Sequence, residues 1–267
     1  MDSWIFAYVA LGAFTGLLAG LFGVGGGGVM VPILTSLFAA QGLFPEHRVH
    51  LALGTSMAAI VPTALSSLRA HHRRGAVLWP VVARFAPGIL VGTFAGTFLA
   101  ARLNARPLAI FFVLFMGYVA IQMAVDRKPK PARGLPGAPA LAGAGAGIGA
   151  VSALVAIGGG SLTVPFLAWC NVRLQIAIGT SAAVGLPIAL AGALGYALNG
   201  WGAPGLPWGS LGYIYLPATL AMAAASVFTA PLGARLAHAL PVKALKRLFA
   251  LLLFLLALHM LHTVFFR

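Results

Sequence analysis

Hydrophobic positions in this chain fall into ten runs separated by short polar breaks, at about residues 4–24, 29–40, 50–68, 77–101, 107–125, 139–157, 161–170, 176–198, 211–234 and 243–265. Each run predicts an apolar helix. A helix needs about 20 residues to cross the hydrocarbon of a bilayer. The runs at 29–40 and 161–170 fall short of that and predict half-helices or steeply broken ones. Both follow glycine runs, in GLFGVGGGGVMVP at 20–32 and LVAIGGGSLTVPF at 154–166. Glycine weakens a helix by up to ~1 kcal/mol per residue relative to alanine, so the chain is expected to leave the helix at both places.

The two places belong to two copies of one unit. Val31-Pro32 maps onto Val164-Pro165 at an offset of 133, which carries Gly25, Gly26 and Gly27 onto Gly158, Gly159 and Gly160, and Gly28 onto Ser161. Further along, LGTS at 53–56 returns as IGTS at 178–181, an offset of 125 that also carries Pro62 onto Pro187, because the first copy has a loop eight residues longer. Arg102-Leu103 matches Arg235-Leu236, again at 133. Between the copies lies DRKPKPARGLPGAP, charged and rich in proline and glycine, the composition of a linker. The expected organisation is a first transmembrane repeat at 1–125, a basic linker at 126–138 and a second repeat at 139–267.

Composition agrees with the pattern: 61% of the 267 residues are hydrophobic and 7% charged, where a soluble domain carries roughly 25% charged residues. The chain reads as an all-α integral membrane protein. A net charge of +14 would suit nucleic acid only as a basic stripe on a soluble fold; here the cations cluster between apolar runs, as topology signals do. Arg69, Arg73 and Arg74 crowd one loop of the first copy, whereas its counterpart at 199–210 is uncharged. At the next turn the bias reverses, with Arg102 and Arg106 facing the richer Arg235, Lys243, Lys246 and Arg247. Placing 69–74, 126–133 and 235–247 in the cytoplasm requires an odd number of crossings per copy and therefore inverted repeats. Five crossings, or three with a re-entrant glycine hairpin, satisfy the charges equally. Residues 4–22 lack a basic leader and read as a retained helix. The single cysteine, Cys170, rules out an intrachain disulfide.

Broken helices at the centre of inverted repeats mark transporter binding sites. Non-helical backbone at membrane depth is tolerated where it is buried in protein or lines a cavity, and a glycine run lets successive N–H groups converge. A short helix beginning there turns its unpaired N–H groups and positive dipole end toward an anion. Helices starting at Gly28 and Ser161, with Ser161 as a cap and Pro32 and Pro165 near the first turn, would face one anion from two sides. The competing use of glycine, close helix packing, is plain at Gly12, Gly16 and Gly20 and at Gly88, Gly92 and Gly96.

The paired motifs resemble the sulfite exporter TauE/SafE family of membrane transporters over nearly the whole chain. The resemblance implies a carrier of small anions, particularly sulfur oxyanions and organosulfonates, with no prosthetic group. The candidate substrate-binding residues are Gly25, Gly26, Gly27, Gly28, Thr55, Ser56, Gly158, Gly159, Gly160, Ser161, Thr180 and Ser181, the Thr-Ser pairs offering hydroxyls or simply bonding their own backbone. Arg84 reads as a residue reaching to the interface and, secondarily, as a counter-charge. His71 and His72, and His259 and His262, lack a second ligand set for a metal. The carboxylates Asp2, Glu46 and Asp126 are terminal or in loops, so no buried acid/base pair supports an enzyme. Expected partners are the bilayer and a small anionic substrate, with a homodimer left open and nucleic acid excluded. A membrane scaffold, or a carrier of another small solute, is the remaining reading.

Overall fold

The computed structural model describes residues 2–22, 25–42, 46–125, 134–239 and 242–266. Residues 126–133 of the expected linker at 126–138, and the side chains of Lys243 and Lys246, lie outside the described residues. Among the described residues ten helices form: α1 (Asp2–Phe22), α2 (Gly27–Ala40), α3 (Arg48–His72), α4 (Trp79–Arg102), α5 (Ala105–Val125), α6 (Ala138–Val155), α7 (Gly160–Trp169), α8 (Leu174–Asn199), α9 (Leu216–Ala239) and α10 (Val242–Phe266). They match the ten apolar runs in order. By length and composition, seven of them can cross a membrane, while α2 and α7 are short. One expected boundary is corrected. Residues 210–215 form a small hairpin, β1 (Ser210–Leu211) against β2 (Ile214–Tyr215), so α9 begins at Leu216. Gly209 and Gly212, with φ of +84° and +55°, supply the turns that keep the helix from starting earlier.

The principal packing joins one half of the chain to the other. Gly12, Gly16 and Gly20 of α1 meet Met222, Ser226 and Ala230 of α9 in ascending order, so the two helices run the same way with backbones in contact. Gly88, Gly92 and Gly96 of α4 meet Ala142, Ala146 and Ala150 of α6 in the same manner. These glycines are packing residues, as the sequence suggests. By contrast, α3 and α8 run in opposite directions, with Gly54 against Tyr196 and Met57 against Gly192. The positions equivalent to α1 and α9 at the 133 offset keep the same register, since Gly145 and Gly149 of α6 meet Ile89 and Thr93 of α4.

Helix α2 folds back along α1. Gly26 lies against Thr15, and at the other end Gln41 donates from Nε2 to the Tyr8 hydroxyl at 2.6 Å. Helix α3 runs parallel to α9, with Thr63 Oγ1 bonded to Ser226 Oγ at 2.6 Å and Arg74 Nη1 donating to Ala234 O at 2.6 Å. It therefore also runs parallel to α1, and the glycine loop with α2 returns the chain between them. In the first half, α1 and α3 thus run one way and α2 the other.

Arg69, Arg73 and Arg74 at the end of α3 share one face with Arg235 on α9 and with Arg173, which precedes α8. Arg84 is exposed near the start of α4 on that same side. The opposite face carries Arg48, Arg102 and Arg106. Four of the five tryptophans, Trp4, Trp79, Trp169 and Trp201, stand at or beside helix ends, and Trp208 lies in the loop between α8 and β1; amphipathic rings of this kind occupy a membrane interface. Between these belts the perimeter is apolar: Val91, Leu114, Leu220 and Phe228 are exposed, a surface suited to lipid rather than water.

Candidate functional site

The two glycine loops meet at the centre. A methyl placed on Gly25 would stand 2.8 Å from Gly158 Cα, and one on Gly27 would strike the Ala156 carbonyl. Gly26 and Gly159, 133 residues apart, are both helix caps in the left-handed region, with φ of +80° and +79°. Their carbonyls accept equivalent bonds: Val29 N and Met30 N donate to Gly26 O at 3.1 and 3.0 Å, Leu162 N and Thr163 N to Gly159 O at 3.2 and 2.7 Å. A left-handed residue followed by a helical one turns successive N–H groups to one side, the concavity that receives anions. Gly160 N and Ser161 N donate to no backbone carbonyl among the described residues.

Details of the expected site change. The helices start at Gly27 and Gly160, one residue earlier than expected. Ser161 does not cap α7; glycine does, and the Ser161 hydroxyl is buried with no partner among the described residues. A side-chain cap belongs on the residue just before the first helical one, and Ser161 is the second residue inside. Pro32 and Pro165 fall in the second turn rather than the first. Each ring removes the N–H that would reach the carbonyl four residues earlier, on Gly28 and on Ser161. Gly28 faces Met116 and Leu253.

The Thr-Ser pairs are placed differently. Thr55 Oγ1 accepts from Tyr215 N at 2.9 Å, and its counterpart Thr180 Oγ1 accepts from Leu78 N at 3.0 Å. They stand at opposite ends of the bundle, each holding a connecting segment against its helix. Ser181 Oγ donates to Ile178 O at 2.9 Å. Ser56 is fully buried, its hydroxyl unpartnered among the described residues.

Beside the loops is a small cavity, with room for little more than a water molecule, lined by Gly25, Gly158, Ile60, Ser67, Ala182 and Gly185. It lies toward the arginine-rich face, since Ser67 is past Ile60 in the direction of Arg69. Gly185 makes the space. At the equivalent position of the first half, 125 residues earlier, stands Ile60, whose side chain fills the gap over Gly25 and Gly27. On the far side of the loops the packing is closed: Met57 covers Gly192, Tyr196 donates its buried hydroxyl to Ala153 O at 2.9 Å, and Tyr213 N donates to Tyr196 O at 3.1 Å.

The model of the family described as sulfite exporter TauE/SafE matches residues 8–260. The chain belongs to that family. A protein of Haemophilus influenzae named "Probable membrane transporter protein" is 38% identical over 262 residues, 97% of this chain and 99% of its own. One of Methanocaldococcus jannaschii with the same description is 27% identical over 95% of this chain and 94% of its own. A Bacillus subtilis relative, also described as a probable membrane transporter protein, is 30% identical over 46% of this chain and 45% of its own. No solved structure matches. Family and helices together make this a multi-pass membrane transporter.

Within that TauE/SafE framework, sequence reasoning passed over Ser67, Gly185 and Met57. Gly185 carried no signal because an isolated glycine in an apolar helix is read as packing. Ser67 stands in SSLRAHH beside a basic loop, and looks like part of the interface until the helix is seen to turn it inward.

Proposed function

We propose that the protein carries a small oxyanion, namely sulfite, a related sulfur oxyanion or a short organosulfonate, across the cytoplasmic membrane by alternating access. Two inverted repeats, 1–125 and 139–267, joined by the basic linker at 126–138, would supply the two gates, with the arginine-rich face in the cytoplasm. One observation carries the reading: the left-handed glycine caps of α2 and α7 repeat 133 residues apart and bring two helix N-termini together at the core of the bundle. Among the described residues no charged side chain lines the cavity beside them. Such a site holds an anion through N–H dipoles alone, tightly enough to desolvate it and loosely enough to release it. The oxygens of a sulfite or sulfonate group accept several such bonds at once. The present cavity is too small for these anions, so α3 and α8 must move away from the loops as substrate enters.

Proteoliposomes test the reading. Vesicles containing the protein should accumulate or release sulfite or sulfoacetate faster than empty vesicles, with sulfate and chloride as competitors. Flux indistinguishable from empty vesicles for every sulfur anion would overturn the substrate.

A further inference from the structure

Some buried hydroxyls on these helices bond their own backbone four residues earlier: Thr15 to Leu11 O at 2.7 Å, Thr35 to Val31 O at 2.8 Å, Thr63 to Ala59 O at 2.9 Å. Six others, on Ser56, Ser67, Thr93, Ser152, Ser161 and Thr163, have no partner among the described residues, and Ser67 is the one of these that lines the cavity. It is 3% exposed and lines the cavity beside Gly25 and Gly158, and its Oγ has no partner among the described residues. A buried hydroxyl left without a bond loses free energy, and Ser67 is the one polar residue among those that line the cavity.

Moving every lining position to its counterpart in the other half, by 133 in α1 and the glycine loop and by 125 in α3, or back by the same steps, yields a second set on the closed side of the loops, in which Ala64 becomes Ala189 and is unchanged in kind. Gly25 and Gly158 exchange, and so do Ile60 and Gly185. Ser67 becomes Gly192, and Ala182 becomes Met57, whose side chain fills that space against Gly192. Ala19, which also lines the cavity, becomes Ser152. Ser152 is fully buried, and its hydroxyl too is unpartnered among the described residues. Each half-site thus has one unbonded serine, supplied by α3 on one side and by α6 on the other.

We infer that Ser67 and Ser152 are substrate-contacting donors of two equivalent half-sites that open in turn, and that Met57 is the plug filling the half-site closed here. This rests on the anion-carrier reading above for its substrate, but not for its geometry. When the half-site toward the arginine-rich face is open, Ser67 adds an O–H to the N–H groups of the glycine loops. When Met57 withdraws, Ser152 adds its O–H on the opposite side, from α6 rather than from the position equivalent to Ser67.

Thiol labelling tests the geometry in a Cys170→Ser background. Ser67→Cys should react with a small methanethiosulfonate reagent added at the arginine-rich face, and Ser152→Cys with reagent at neither face. Adding Met57→Ala should make Ser152→Cys reactive from the opposite face. Reaction of Ser152→Cys from the arginine-rich face, or no reaction in either background, would overturn the pairing. Binding to purified protein tests the donor role: Ser67→Ala should weaken sulfite or sulfoacetate about fivefold, the loss of one neutral hydrogen bond, without lowering thermal stability. Unchanged affinity would overturn that role. If the unmutated protein binds neither anion, the substrate assignment fails instead, and labelling still decides the half-sites.

Discussion

Thr180 shows how a residue can be well chosen from a repeat and serve a different purpose. Its recurrence as Thr55 marks it as functionally interesting in sequence, yet each hydroxyl holds one backbone N–H of a loop at its own end of the bundle. Thr180→Val should therefore leave Leu78 N without an acceptor and destabilise the protein by ~1–3 kcal/mol. Thermal unfolding in detergent should register the loss, while substrate affinity in the remaining folded protein stays as it was; a weakened affinity at full stability would return Thr180 to the binding site. Such roles were not legible beforehand because they depend on what lies opposite a side chain, and that partner is 102 residues away for Thr180 and 160 for Thr55. The glycine caps were legible because the backbone itself demands glycine at φ near +80°.

Among the elements, all ten helices could be read from hydrophobic runs, since a segment that must satisfy its own hydrogen bonds in lipid has few alternatives to a helix. The hairpin at 210–215 escaped because its residues are as apolar as the helix they precede, and only the turns at Gly209 and Gly212 separate them. Glycines in these helices fall into two groups with opposite expectations. Gly16→Leu would drive a side chain into the Ser226 backbone, where even a methyl would lie 2.6 Å from Cα, and should part α1 from α9 with a large fall in melting temperature. Gly117 and Gly147 have nothing within 4 Å, so alanine at either should be neutral or stabilising, by up to ~1 kcal/mol from helix propensity. A melting temperature lowered by Gly117→Ala would mean that this face is covered in the native membrane.

At the level of the whole molecule, the charge pattern predicts which side each loop faces. With Cys170 removed, cysteines introduced as Arg73→Cys and Pro204→Cys should react with an impermeant thiol reagent from opposite faces of the membrane, Arg73→Cys from the cytoplasm. Labelling from one face would remove the basis for inverted repeats. The paired VP and GTS motifs were visible in the sequence, but how the two halves interlock was not, because α1 finds its partner in α9 and α4 in α6. That interlocking bears on how the protein is made. When the ribosome has finished the first half, the glycine seam of α1 still lacks its partner, and α9 emerges only about two hundred residues after α1. The early helices must wait in the lipid or in the care of the insertion machinery, exposing seams shaped for close protein contact. Chains cut within 126–133 and synthesised as separate halves should each be degraded when alone, yet recover transport when made together. If either half accumulated stably without the other, the seams would have to be satisfied within a single half.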